Sequence, residues 1–293
     1  MKLQWSIPRA RLRDARAQGR RYCTTTHRHY KSLNSLENGT LETFQKQCFQ
    51  PEQPAILPRA TFTDLPAINR WFKPSPTNNS SLNTSYLREH GADAFVPLEL
   101  TESATEGQSF RAFHAPLSLF LDWIDTETTP TTRLYLAQCQ LLDLPPILRA
   151  DFPTPSLVSR AGKGDVYDTN VWIGHPPTYT PLHKDPNPNM FVQLAGQKVV
   201  RLLAPKEGHA IFAAVRGQLG KSGSQEAAAF RGEEMMQGDE RALLDEMVWG
   251  KAAESGFEAR LGAGDGLFIP KGWWHSIKGI GEGVTGSVNW WFR

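Results

Sequence analysis

Two short stretches about ninety residues apart constrain this chain more than anything else in it. The first is Thr180-Pro-Leu-His183-Lys-Asp185, set among prolines, and the second is Gly264-Asp-Gly-Leu-Phe-Ile-Pro-Lys-Gly-Trp-Trp-His275. On an extended strand alternate side chains share a face, so His183 and Asp185 project together. An imidazole and a carboxylate side by side are half of a metal site. The spacing alone is weak. With 30 acids among 293 residues, each of the eight histidines has roughly a one in ten chance of an acid two places on. The second stretch supplies what chance does not. A turn, an apolar strand, a Pro-Lys-Gly corner and a further strand bring His275 back beside the first pair as a third ligand.

Two histidines and one carboxylate that leave open positions form the facial triad of non-haem Fe(II) oxygenases. Further motifs surround the three: Tyr135-Leu-Ala-Gln138, Asn170-Val-Trp-Ile-Gly174, Asn189, Gly196-Gln-Lys198, Phe268-Ile-Pro270, Trp274-His275 and Ser287-Val-Asn-Trp-Trp291. On these residues the chain resembles the JmjC branch of the cupin-fold, Fe(II)- and 2-oxoglutarate-dependent oxygenases, particularly the small JmjC-only protein hydroxylases. The resemblance spans about residues 41–293. It implies a mainly β fold with flanking helices: a double-stranded β-helix (jelly-roll, cupin) barrel with an N-terminal helical and strand extension and a helical insertion.

At 293 residues and 40% hydrophobic, the chain can bury one sizeable core. No run of 18 apolar residues is present, so no membrane-spanning helix is expected. The net charge of +2 hides an asymmetry. Residues 1–36 carry nine Lys or Arg against the single acid Asp14, leaving about −6 for residues 37–293. A mildly acidic body disfavours a large nucleic-acid surface. Cys23, Cys48 and Cys139 are odd in number and lack Cys-x-x-Cys spacing, which points to a reducing compartment without a disulfide framework. Residues 1–36 have the Arg-rich, acid-poor composition of a mitochondrial transit peptide, with a cytoplasmic or nuclear basic tail as the alternative. Their removal is expected to leave the catalytic domain, residues 37–293, intact.

Residues 37–75 read as a helix containing Leu41, Phe44 and Phe49, a strand at 54–58 and a second helix near 65–72. Residues 74–81 are a polar turn cluster. Then come a helix over 85–90, a strand over 94–100, a Ser/Thr/Glu/Gly loop to Gln108 and a packing helix over 117–123. Residues 133–138 alternate as a strand, with Tyr135 and Ala137 on one face and Leu134, Leu136 and Gln138 on the other. Strands follow over 167–173 and 285–292. Alternation after Gly196 puts Lys198, Val200 and Leu202 on one face and Val199, Arg201 and Leu203 on the other. Residues 206–256 form an insertion over the barrel mouth, mobile over 217–225 and helical over 233–253, acting as a substrate lid or as packing. The absence of a helical segment after the last strand makes a monomer the default. His27, His29, His90, His114, His175 and His209 read as surface or loop residues.

The resemblance assigns roles residue by residue. His183, Asp185 and His275 hold Fe(II). Lys198, if it faces the barrel interior, requires an anion, because an unpaired buried ammonium is prohibitively costly. The 5-carboxylate of 2-oxoglutarate fits, assisted by the hydroxyls of Thr180 and Tyr135, while Asn189 and Asn289 line the pocket near its 1-carboxylate. Trp172, Trp291 and Glu99 match positions with which arginyl hydroxylases hold a guanidinium through charge-assisted bonds and cation–π contact, and Gln138 falls beside them. The implied reaction consumes 2-oxoglutarate and O2, releases succinate and CO2, and hydroxylates a side chain of a protein or peptide. The same iron chemistry serves N-methyl-lysine or -arginine demethylation and tRNA-base hydroxylation. A non-oxidising metal-binding cupin, or a Zn- or Mn-dependent hydrolase or isomerase, would use the same three ligands. Neither needs Lys198, Thr180 and Tyr135 together.

Overall fold

In a computed structural model of the protein, residues 30–73, 79–104, 107–126, 131–229, 235–250 and 256–293 are described. The first third of the fold comprises β1 (Lys31–Ser32), α1 (Leu41–Phe44, widening into a looser turn over Gln45–Phe49), β2 (Ala55–Leu57), α2 (Pro66–Arg70), β3 (Phe72–Lys73), β4 (Ser81–Leu82) and α3 (Thr84–Gly91). A long hairpin of β5 (Phe95–Ala104) and β6 (Gly107–Pro116) leads to α4 (Leu117–Ile124), β7 (Thr132–Gln140), α5 (Pro146–Arg149) and α6 (Ser156–Ala161). Four consecutive strands follow: β8 (Val166–Gly174), β9 (Tyr179–Lys184), β10 (Asn189–Ala195) and β11 (Gln197–Leu203). After α7 (Pro205–Gln218), α8 (Gln225–Ala229) and α9 (Gly238–Trp249), the chain ends in β12 (Phe257–Leu261), β13 (Gly266–Ile269), β14 (Trp274–Ile280) and β15 (Thr285–Phe292).

The strands build two sheets, ordered β1-β12-β11-β14-β9 and β2-β13-β10-β15-β8-β7-β5-β6, with β3 and β4 as a separate pair. This is the expected jelly-roll. Period-two alternation sorts side chains into layers. Phe191, Val200, Leu202, Leu267 and Ile269 fill the space between the sheets. Val192, Val288, Trp290 and Phe292 point outward from the large sheet into the core beneath the N-terminal helices. Leu182, Leu203 and Trp274 point outward from the small sheet against α7 and α9. The inter-sheet space is therefore apolar at one end, and its other end receives the polar inward residues Lys198, Asn189, Ser287, Asn289 and His275, all buried.

Four sequence expectations need correction. The boundary at residue 36 lies too far into the fold. Lys31–Ser32 pair in parallel with β12, Ser35 bridges to Ile56, and Leu33 and Leu36 are buried, so residues 31–36 belong to the fold. Residues 1–29, and residues 74–78 of the turn cluster, lie outside the described residues. The loop expected up to Gln108 is instead the end of a hairpin whose ladder runs from Phe95↔Pro116 to Ala104↔Gly107. Polar Thr, Ser and Glu suit a strand whose one face is solvated, and composition alone hid the pairing. Among its described residues the 206–256 insertion contains two helices besides the expected one. Pro205 opens α7, and Gly208, Ile211, Phe212 and Val215 recur at helical spacing on its buried face. Gly208 is required there, since a Cβ would collide with the Trp274 ring. Finally, His175 and His209 are not free surface residues. The two ring nitrogens of His175 lie 3.0 Å and 3.2 Å from the carbonyls of Gly283 and Ile124, and His209 packs beside Phe212 and Trp274.

Among the described residues, no helix is long and apolar enough to cross a membrane. Burial pushes the Cys48 thiol up to about 11 and the Cys139 thiol up to about 12, so both remain protonated packing groups.

Candidate metal and cosubstrate site

The site sits where β9 and β14 pair. Their register places His275 opposite His183 and Ile277 opposite Thr180, so Pro181 and Leu182 together face Ser276 alone. This β-bulge falls at a residue without an N–H to give the ladder, and it turns the strand just before the first ligand. His183, Asp185 and His275 each aim a ligand atom at one point, all within 4.8 Å of one another. The His183 and His275 Nε2 atoms lie 4.0 Å and 3.6 Å from the nearer Asp185 oxygen.

The surroundings fix each ligand in the form a metal needs. His183 Nδ1 lies 2.9 Å from the Pro181 carbonyl and His275 Nδ1 lies 3.2 Å from the Trp273 carbonyl. A carbonyl only accepts, so each Nδ1 carries the proton and each Nε2 presents a lone pair. Burial, reinforced by the neighbouring His183, drives the His275 pKa down, and Asp185 opposes this only in part. His275 is thus neutral at physiological pH. Asn189 Nδ2 donates to Asp185 Oδ2 at 2.8 Å and orients the carboxylate.

Lys198 lies in the same cavity, 2% exposed, as alternation along β11 requires. Its ammonium donates to Ser287 Oγ at 2.7 Å and to the Tyr135 hydroxyl at 3.3 Å. Among the described residues no carboxylate lies within 4 Å of it. Burial alone lowers its pKa to about 7. Burial, with a smaller effect from the Glu99 charge, pushes the Tyr135 phenol upward, so it stays a hydrogen-bond donor. Gly174 makes room for that ring: a Cβ there would stand 2.6 Å from Tyr135 Cδ2. Thr180, Asn189 and Asn289 line the cavity as expected. Trp172 Nε1 donates to Asn289 Oδ1 at 2.7 Å, which locks the indole over the site. Three buried polar atoms around the site lack partners among the described residues: Asn189 Oδ1, Asn289 Nδ2 and Trp291 Nε1. A buried cation, orphaned donors and an orphaned acceptor beside three metal ligands suit a divalent ion with a dicarboxylate.

A larger opening of about 310 Å³ continues from this cavity to solvent, lined by Gln138, Tyr167, Trp172, Trp291 and Met235 with His183 and Asp185 at its floor. Gln138 was expected on the face of Leu134 and Leu136. Instead the ladder shifts between Leu136 and Cys139, and Gln138 takes φ 52°, a left-handed conformation that turns its side chain into the opening. Glu99 is not brought into this opening. It pairs with Tyr135 across β5 and β7 and lines a neighbouring cavity with Arg133, His175 and Arg241. Ser287 and Thr178 also line site cavities and were not singled out from sequence, although Ser287 stands two residues before Asn289 on one strand and so shares its face.

The sequence pattern of the cupin-like domain matches residues 41–293. The chain belongs to the cupin-like, JmjC-type family. Relatives of this cupin-like domain include Jumonji C domain-containing protein 5 of Drosophila melanogaster, 25% identical over 266 residues, covering 89% of this chain and 60% of the relative. Lysine-specific demethylase 8 of Danio rerio is 29% identical over 270 residues, with 89% and 58% covered. Lysine-specific demethylase JMJ30 of Arabidopsis thaliana is 26% identical over 263 residues, with 89% and 55% covered. The chain thus spans somewhat over half the length of these relatives. JmjC-type cupin-like enzymes use Fe(II) and 2-oxoglutarate, the two groups that the ligand triad and the unpaired ammonium would accommodate.

Proposed function

We propose that this domain is an Fe(II)- and 2-oxoglutarate-dependent dioxygenase that hydroxylates a side chain of a protein or peptide, with succinate and CO2 as co-products. The observation that carries the reading is Lys198. A buried ammonium with only hydroxyl partners costs stability, and a metal-only cupin has no use for it. Iron with 2-oxoglutarate and O2 supplies the oxidising equivalents. The chain's own groups bind, orient and shield. His183, Asp185 and His275 hold the ion, and Lys198, Tyr135, Ser287 and Thr180 receive the far carboxylate of the cosubstrate. Asn189 and Asn289 offer polar contacts near its other end. Trp172, fixed by Asn289, and Trp291 wall the reacting region and limit water, and the opening beyond admits the target side chain.

The test is succinate formation from 2-oxoglutarate with Fe(II) under air, beside His183→Ala and Lys198→Ala. Turnover that needs metal and disappears in both variants supports the oxygenase. No turnover, with no 2-oxoglutarate binding to metal-loaded protein, leaves the non-oxidising cupin.

A second reading is N-methyl demethylation, in which hydroxylation of the methyl carbon is followed by loss of formaldehyde. Two of the relatives carry demethylase names, and the opening presents Tyr167, Trp172 and Trp291, rings that suit a methylammonium. The arginyl reading loses support from Glu99, which stands in the neighbouring cavity. Product mass separates the two: a gain of one oxygen on a peptide marks hydroxylation, and formaldehyde release marks demethylation.

A further inference from the structure

The insertion helix α9 ends against the outer face of the β9–β14 pair. Trp249, its last residue, donates from Nε1 to Ser276 Oγ at 2.9 Å, and Ser276 Oγ donates in turn to the Thr180 carbonyl at 2.8 Å. Ser276 is fully buried and is the residue opposite the two-residue bulge of β9, next to His275. An indole N–H can only donate. It therefore fixes the direction of the chain: the Ser276 hydroxyl, having accepted from Trp249, gives its one proton to Thr180. That bond ties β14 to β9 at the bulge, through the carbonyl of a cavity-lining residue, Thr180, just before the ligand His183.

Trp249 is itself held by two cations over its ring. The Arg201 guanidinium lies 4.4 Å from its ring and the Lys278 ammonium 4.7 Å. Arg201 also donates to the Val248 carbonyl at 2.7 Å, pairs with Glu258 at 3.0 Å and lies 4.3 Å from the Tyr30 ring. Lys278 pairs with Asp245 of α9 at 2.6 Å. An alternating stack of rings and cations thus fastens α9 to the outer face of β11 and β14, and its indole N–H reaches through to the bulge. A helix held this way is part of the wall rather than a moving cover.

We propose that Trp249 is a positioning residue for the metal site: through Ser276 it holds the bulge that sets His183 against His275. This rests on the three residues being metal ligands, and the test separates the two claims. Co(II) is titrated into metal-free full-length protein and followed by its visible absorption, for the natural chain, His183→Ala, Trp249→Phe, Ser276→Ala and Asp151→Asn. Trp249→Phe keeps an aromatic ring beside the two cations and removes the N–H together with part of the indole's bulk. Asp151 lies in the core on the far side of the large sheet, so its variant reports what lowered stability does to Co(II) affinity.

Expected is a ~3- to 10-fold weaker Co(II) affinity with an altered visible band in Trp249→Phe, and a loss at least as large in Ser276→Ala, set against outer partners that typically matter 10- to 100-fold. Asp151→Asn should bind as the natural chain does. Trp249→Phe binding within twofold of the natural chain, with an unchanged band, overturns the proposal, as does a loss matched by Asp151→Asn. If the natural chain and His183→Ala bind alike, the ligand assignment fails first and takes the proposal with it.

Discussion

Replacing Lys198 with methionine should make the protein more stable and abolish cosubstrate binding. The ammonium is fully buried, and its pKa falls from 10.5 to about 7. The sign follows from proton counting. Between pH 7 and 10.5 the unfolded chain binds a proton that the folded, ligand-free protein does not, so stability rises with pH across that window, and the cost of burying the charge is fully present below pH 7. That depression corresponds to about 5 kcal/mol as an upper bound. Replacing a buried charge by an apolar group of similar volume recovers part of this, about 1–4 kcal/mol. About 2 kcal/mol would raise Tm by about 5 °C at this chain length. Ligand binding should run the other way. A dicarboxylate needs the charged form, so its Kd should be flat below pH 7 and about tenfold weaker at pH 8. The assay is 2-oxoglutarate titration of Mn(II)-loaded protein from pH 6 to 8.5, with thermal unfolding of both proteins at pH 6.5. A Kd independent of pH together with a less stable Lys198→Met would refute the reasoning.

Three further outcomes are expected. Asp151, fully buried, accepts from Arg70 at 2.7 Å, Trp71 at 2.8 Å and Tyr86 at 2.7 Å; Asp151→Asn should cost about 3 kcal/mol in urea unfolding. Deleting residues 30–36 along with everything before them removes buried Leu33 and Leu36 with the β1 pairing and should cost about 3–6 kcal/mol, measured by urea unfolding. Gly174→Ala should push Tyr135 off the Lys198 ammonium and weaken 2-oxoglutarate binding several-fold with metal affinity unchanged, measured by separate titrations.

The triad was legible from ligand chemistry written locally in the chain, while the barrel and the inward direction of Lys198 came from the resemblance, because alternation groups Lys198 with Val200 and Leu202 without saying which face is inside. Gln138 lines the opening with Trp172 and Trp291, but its strand face was misassigned: alternation assumes an unbroken ladder, and the ladder shift and positive φ there are not displayed by local sequence. Glu99 shows a related limit. Its residue type fitted a guanidinium grip, but the cross-strand neighbour that decides its cavity lies 36 positions away at Tyr135. The hairpin of β5 and β6 was hidden by polar composition, and α7 by its alanines and glycines, whose packing against Trp274 comes from another part of the fold. The hydrogen-bonded chain from Trp249 to Thr180 is invisible in sequence, since it joins three segments that share no pattern.

The crossing of strands has a consequence for how the protein is made. β1 pairs with β12 and β9 with β14, so both the first strand and the first two ligands wait for partners synthesised long after them. Contacts so distant in the chain form late and slowly. During vectorial synthesis His183 and Asp185 emerge well before His275, and a nascent chain offers any divalent ion only an unpaired His-x-Asp. Metal capture is thus the closing event of assembly rather than its seed, and refolding should proceed at the same rate with iron present or chelated.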